Sequence, residues 1–216
     1  MELSEAKKKF FQLLSEKYPT VQDVYTEIIN LQAILNLPKG TEHFMSDLHG
    51  EYEAFYHILN NCSGVIREKV DSIFKTTMSE SERSEFCTLI YYPEEKLKMI
   101  KEAKINTPEW YRFTLQCMIR LAKTLSSKYT RSKVRKAMPK AYTYILDELL
   151  HAQPDENDNQ MLYHNKIIDT MIGLKNGDNF ISALSQLIKR LAVDHLHIVG
   201  DIFDRGPEQD QIMERL

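Results

Sequence analysis

A chain of 216 residues, 43% hydrophobic and 27% charged, has the make-up of a globular protein large enough for one or two cores, which excludes a fibrous or disordered chain. A net charge of −3 and a pI near 6.2 give no basic footprint for wrapping a nucleic-acid backbone, so nucleic acid is not an expected partner. The first ten residues lack the apolar core of a secretory signal and no stretch approaches about eighteen apolar residues, which predicts a cytoplasmic protein with no membrane partner.

The first clear element follows Thr20, where Val21, Val24, Tyr25, Ile28, Leu31 and Leu35 recur at steps of three and four and Asp23 completes a capping box. This amphipathic helix stops near Leu37-Pro38-Lys39-Gly40, and the run Glu42-His43-Phe44-Met45-Ser46 then reads as a strand leading into Asp47. Further on, Ser79 to Glu82 is a second capping box, Pro93 and Pro108 sit at first-turn positions, and Pro139 is expected to open a helix from Ala141 to Leu150. The stretch between the two strands reads as about six helices with no strand among them. The last of these, expected to be capped by Asp178, carries Phe180, Ile181, Leu184, Leu187, Ile188 and Leu191 on one face. Asp194 then breaks to a second strand, His195 to Gly200, that delivers Asp201. Cys62, Cys87 and Cys117 show no C-x-x-C spacing and read as reduced core thiols. The polar segment Pro154 to Asn159 reads as a solvated loop.

Strand, helices and strand in that order predict an α/β fold with a parallel, right-handed crossover and a site beyond the carboxyl ends of the strands. Asp47 and Asp201 stand 154 positions apart, so a domain-sized helical insertion must separate two adjacent pieces of one site. The expected divisions are an N-terminal helical segment over 1–37, a first strand-turn-helix over 38–62, the insertion over 63–192, and the second strand with its loop over 193–216.

The chemistry sits in Ser46-Asp47-Leu48-His49-Gly50-Glu51 and Gly200-Asp201-Ile202-Phe203-Asp204-Arg205-Gly206-Pro207. Asp47 and His49, two positions apart where a strand ends, offer a mixed oxygen and nitrogen pair to one transition metal. Asp201 has two carboxylate oxygens with which to bridge a second ion. Two such ions activate water and clamp phosphoryl oxygens for in-line attack. Arg205 presents a planar fork of donors for phosphate, and the Gly206-Pro207 turn is expected to point it inward. Asp204 is placed to orient a catalytic histidine. An isolated Asp-x-His-Gly is often only a turn, whereas fixed acids, a base and glycines after a strand have no packing rationale.

Other residues carry weaker signals. His43, His195 and His197 read as packed or partly exposed rather than metal-bound, and His57, His151 and His164 lie on helices. The basic run Lys128, Arg131, Lys133, Arg135, Lys136 and Lys140 reads first as a solvated face and second as a site for an anionic ligand, in which case changing Arg131 and Arg135 to alanine would weaken a phosphorylated ligand. Trp110, Phe113, Tyr142 and Tyr144 have the spacing of core aromatics.

The two signatures resemble those of the calcineurin-like metallophosphoesterases. With the long insertion and its Leu89-Ile90-Tyr91-Tyr92-Pro93-Glu94-Glu95 segment, the chain resembles the class III fructose-1,6-bisphosphatase family of Firmicute-type bacteria over essentially its whole length. The resemblance implies hydrolysis of the 1-phosphate of fructose 1,6-bisphosphate, a gluconeogenic step on a small sugar phosphate, with manganese as the favoured ion and two ions in the complete enzyme. It assigns Asp47 and His49 to the first metal, Asp201 to the bridge, Arg205 to phosphate and Asp204 to support of the catalytic histidine. Ser46 stands where the superfamily commonly has glycine, with little expected consequence. The family's next motif, Gly-Asn-His-Asp or Gly-Asn-His-Glu, does not occur before Leu216, which implies an N-terminal portion that binds at most one manganese weakly and turns over negligibly by itself. Its cut sheet is expected to leave an open edge and an uncovered apolar face. The alternatives are another metallophosphoesterase, such as a protein phosphatase or dinucleoside polyphosphate hydrolase, and a noncatalytic helical module that binds partners or effectors.

Overall fold

The structure, a computed structural model, describes residues 4–152 and 158–216. The chain divides into two compact units, Met1–Lys39 and Gly40–Leu216. The first unit holds α1 (Glu5–Lys17) and α2 (Val21–Ile34). Thr20 Oγ1 accepts the Asp23 N–H at 3.1 Å while Asp23 Oδ2 accepts the Thr20 N–H at 3.0 Å, the reciprocal cap expected from the sequence. No described residue of either helix is buried, so the stripe through Val21, Ile28 and Leu31 lies exposed.

The second unit begins with β1 (Glu42–Ser46) and α3 (Tyr52–Asn61). It continues through α4 (Val65–Phe74), α5 (Glu80–Tyr91), α6 (Pro93–Glu102), α7 (Pro108–Ser126), α8 (Arg131–Ala137), α9 (Thr143–His151), α10 (Asp158–Gly173) and α11 (Gly177–Ala192). It closes with β2 (His195–Val199) and α12 (Gln209–Arg215). Nine α-helices among the described residues, α3 to α11, thus lie between the strands, more than the periodicity suggested. The excess has a local cause. Left-handed Cys62 and Ser63, with φ of 52° and 53°, break α3 from α4 within one 3-10 turn, and α8 is only 7 residues long. Hydrophobic spacing runs straight across such short breaks.

Other boundaries also move. Pro139 precedes a 3-10 turn, Lys140–Tyr142, and the helix proper starts at Thr143 rather than Ala141. Asn176, not Asp178, is the N-cap of α11; the Asp178 carboxylate instead accepts the Tyr111 hydroxyl at 2.6 Å and pairs with Lys101. Burial, reinforced by that carboxylate, pushes the Tyr111 hydroxyl up to about 12. Of the polar stretch after His151, residues 154–157 lie outside the described residues, and Asp158 and Asn159 open α10.

The main core is helical. Phe180, Ile181, Leu184, Leu187, Ile188 and Leu191 of α11 are at most 1% exposed and pack with Leu115, Met118, Leu121 and Leu125 of α7 and with Ile66, Val70 and Ile90 of α4 and α5. Trp110 and Tyr142 are half-buried against this core, whereas Phe113 and Tyr144 are 53% and 72% exposed, contrary to their reading as core. The face of α7 that is buried runs through Leu115, Met118, Ala122 and Leu125, which leaves Phe113 on the flank. The three cysteines are free and buried, and burial pushes the Cys62 and Cys117 thiols up to about 11.

The basic run is a solvated face, as read, with the Arg131, Lys133 and Arg135 side chains 59%, 56% and 58% exposed, but several of its cations are paired. Arg131 Nη2 lies 2.9 Å and Arg135 Nε 3.8 Å from Asp147 Oδ2, and Lys133 Nζ lies 2.5 Å from Asp194 Oδ1. Carboxylates far away in sequence have claimed these cations, a partnership that local reading cannot see.

β1 and β2 form a two-stranded parallel sheet in the register Glu42↔His195 through Ser46↔Val199. Alternation sends Met45, Leu196 and Ile198 inward onto a second cluster with Leu48 and Phe55, covered by α3 and by Ile212 of α12. The other face is open: Phe44 and Val199 are 64% and 61% exposed, and the Phe44 ring stacks on His197 at 4.6 Å. His195 and His197 share that face, as period-two alternation requires.

Before the strands stands a buried carboxylate. Asp194, with 3% of its side chain exposed, accepts the Thr41 N–H at 2.8 Å and the Tyr129 hydroxyl at 2.5 Å. Burial alone would raise this carboxyl, but hydrogen bonds from Lys133, Tyr129 and Thr41 hold it at about 2, below its ordinary 3.8. A depressed carboxyl contributes stability that is complete above its unfolded pKa and lost as pH falls through its folded one. The contribution is on the order of 2 kcal/mol. Urea unfolding at about pH 5 should therefore separate wild type from Asp194→Asn by more than unfolding at about pH 2, and an equal gap at both would refute the linkage.

Candidate metal centre

Beyond their last paired residues the two strands stay stitched together. The Asp47 N–H donates to Val199 O at 3.2 Å, His49 N–H to Asp201 O at 3.1 Å, and Gly50 N–H to Ile202 O at 3.0 Å. In return the Gly206 N–H donates to His49 O at 2.7 Å. Each loop therefore uses the other as its template, and residues at the carboxyl ends of adjacent parallel strands are forced together.

That pairing carries backbone strain. Asp47, His49 and Arg205 all have left-handed φ, at 54°, 48° and 69°. Non-glycine residues in this region cost about 1–3 kcal/mol each and persist only where the surroundings over-determine them. Gly200 has φ +94°, and a Cβ added there would run into Asp47 Oδ1. The missing side chain lets the Asp47 carboxylate lie directly against the backbone of the second loop, where Oδ1 accepts the Asp201 N–H at 3.3 Å.

The side chains of Asp47, His49 and Asp201 offer ligand atoms that all lie within 4.8 Å of one another, with both carboxylates exposed and the imidazole half-buried. Two hard oxygen donors and one imidazole nitrogen suit a divalent cation, and among the described residues this trio alone forms such a group. His49 Nδ1 lies 2.7 Å from Asp204 Oδ1. That bond holds the Asp204 carboxyl below its ordinary value, despite the opposing effect of burial. The histidine that Asp204 meets is thus His49 itself. The Arg205 side chain is 75% exposed, and its Nε sits 3.1 Å from Asp204 Oδ2, on the same carboxylate that meets His49. Arg205 itself adopts a left-handed φ of 69°, which the dipeptide Gly206-Pro207 did not foretell.

A groove of about 650 Å³ runs from Asp47 and His49 along β1 to His43, Asn61 and Ser63. His43 pairs with Ser63 Oγ, His57 Nδ1 with the Tyr92 hydroxyl at 2.6 Å, and His151 Nδ1 with Asp147 O at 2.7 Å, while His164 is buried in α10. None of these joins the Asp47 trio.

The fold and site define a protein that gathers Asp, His and Asp at two parallel strand ends, a group that could hold a divalent cation, with a helical region between the strands. The chain belongs to the Firmicute fructose-1,6-bisphosphatase family, whose profile matches residues 9–216. It is 56% identical over 208 residues to a fructose-1,6-bisphosphatase class 3 of Clostridium acetobutylicum and 54% identical over 211 residues to that of Phocaeicola vulgatus. A class 3 protein of Clostridium botulinum is 54% identical over 208 residues. Each match covers 96% of this chain and 31% of the relative, so the chain spans about a third of the length of the curated relatives it matches. No solved structure matches it. No described helix is long and apolar enough to cross a membrane.

Proposed function

We propose that this chain supplies the first-metal ligands and a phosphate-contacting arginine to a fructose-1,6-bisphosphatase of calcineurin-like metallophosphoesterase type. The reaction is hydrolysis of the 1-phosphate of fructose 1,6-bisphosphate to fructose 6-phosphate and phosphate, a gluconeogenic step in the cytoplasm. The observation that carries the reading is the convergence of Asp47, His49 and Asp201 at two parallel strand ends in a chain whose relatives bear that name.

The donor set fits Mn²⁺, which accepts carboxylate and imidazole together. A divalent ion held there lowers the pKa of bound water and polarises phosphoryl oxygens. The chain's own residues do the positioning. Asp204 engages Nδ1 of His49, which fixes the ring and leaves Nε2 as the nitrogen that would ligate a cation. Asp47 is oriented by the bond from the Asp201 N–H to its Oδ1, and the carboxylates of Asp47 and Asp201 would supply the oxygen ligands. Arg205, exposed at the rim, can leave Asp204 for a phosphate dianion, which its planar fork matches in two hydrogen bonds.

Mn²⁺ titration followed by electron paramagnetic resonance checks the ligands: one ion per chain is expected, with affinity lowered about tenfold or more in Asp201→Asn. Undiminished binding in that variant would refute the assignment. The substrate is checked by phosphate release from fructose 1,6-bisphosphate and from a phosphopeptide, using a protein that carries this chain within the length of its relatives. Preference for the peptide would refute the sugar reading.

A further inference from the structure

We propose that Asp194 is a positioning residue for the metal centre: it fixes the starts of β1 and β2 in the register that brings Asp47 against Asp201. The proposal rests on the metal-site reading only for its second half, and the register can be measured without any ion.

The buried face of Met45, Leu196 and Ile198 forbids a one-residue slip of this five-pair ladder, because such a slip would turn that face to solvent. Here the open face carries Glu42, Phe44, Ser46, His195, His197 and Val199. A slip of two residues would keep every side chain on its present face yet move one site loop past the other by about 6.6 Å. Such a slip would take Asp47 away from Asp201. The backbone bonds of Asp47 to Val199 and His49 to Asp201 resist it at the site end, and Asp194 resists it at the other.

Asp194 grips one residue, Thr41, at two points. Its carboxylate Oδ2 accepts the Thr41 N–H at 2.8 Å, and its own N–H donates to Thr41 O at 2.9 Å. Neighbouring Gly40 permits the approach, because a Cβ there would lie 2.7 Å from the same oxygen. The carboxylate is itself fixed from the helical core. Tyr129, after α7, donates to Oδ2 at 2.5 Å and also to Leu191 O at 3.2 Å. Lys133 of α8 reaches Oδ1 at 2.5 Å, and Lys128 bridges to Thr41 Oγ1 at 2.8 Å. A two-residue slip would break both Thr41 bonds and leave this almost fully buried carboxylate without its backbone donor, held by Tyr129 and Lys133 alone. Thr41 to Asp47 is about 20 Å of strand. Asp194 therefore lies far from the chemistry and acts through register.

The test uses Asp194→Asn, with the double variant Tyr129→Phe, Lys133→Met as a second route that leaves the carboxylate in place. Amide hydrogen exchange should show β1 and β2 losing about tenfold or more of their protection in Asp194→Asn while α7 and α11 keep theirs. Mn²⁺ affinity should fall about tenfold or more, and the double variant should fall in the same direction by less. Strand amides that retain wild-type protection in both variants, or unchanged Mn²⁺ affinity with the strands loosened, overturn the proposal. A wild-type chain that binds no Mn²⁺ refutes the metal reading, and the exchange measurement then decides the register clamp alone.

Discussion

Gly200→Ala should disorder the proposed metal site while leaving the helical core standing. At φ +94° an alanine carries strain of about 1–3 kcal/mol, and its methyl group would occupy the space of Asp47 Oδ1. The added carbon would also lie 3.2 Å from Asp47 Cγ and 3.4 Å from Asp47 N, so the carboxylate cannot evade it by a small rotation. Mn²⁺ affinity is expected to drop by about 10–100-fold. Calorimetric titration measures the drop, and circular dichroism should remain that of wild type because the main core does not touch Gly200. Wild-type affinity in Gly200→Ala would mean that the close approach of Asp47 to the second loop has no bearing on binding.

Phe180→Ala should have the opposite profile, with a large loss of stability and no change in the donor set. Phe180 is fully buried near the start of α11 and meets Tyr142 edge-on, with ring centroids 5.3 Å apart. Removing a buried phenyl group leaves a cavity that the surrounding helices fill only in part, at a cost of about 3–5 kcal/mol. Denaturant unfolding should show this as a lower midpoint at unchanged slope. A loss below about 1 kcal/mol would show that α7 and α11 close the gap.

The contrast between these two substitutions marks what a single sequence discloses. The buried face of α11 was legible because period 3.6 writes it directly, and the strand Glu42–Ser46 because a proline, a glycine and Asp47 bracket it. Asp201 was legible as a candidate because its signature has no packing rationale, and Asp47 and His49 because their motif, often only a turn when alone, follows a strand and precedes that signature. Long-range partnership was not legible. Nothing near Asp194 announces Thr41, Tyr129 and Lys133, and the residue read only as a helix breaker. The same blindness made the run from Lys128 to Lys140 look unpaired, when Asp147 and Asp194 hold much of it. The positive φ of Arg205 and its pairing with Asp204 were not legible either, because nothing in the Gly206-Pro207 dipeptide announces them.

The insertion also bears on when the site can form. Its two halves stand 154 positions apart, and closing a flexible loop of that length costs about 4 kcal/mol or more. Five ladder pairs on a half-covered sheet could not readily offset such a cost. The helical core removes it by folding first from mostly local contacts, after which the strand ends are already neighbours and their pairing is nearly unimolecular. The strands should therefore be late in folding and early to open. A destabilising change deep in α7 or α11 would then silence the cation site at temperatures where most of the helix signal still remains.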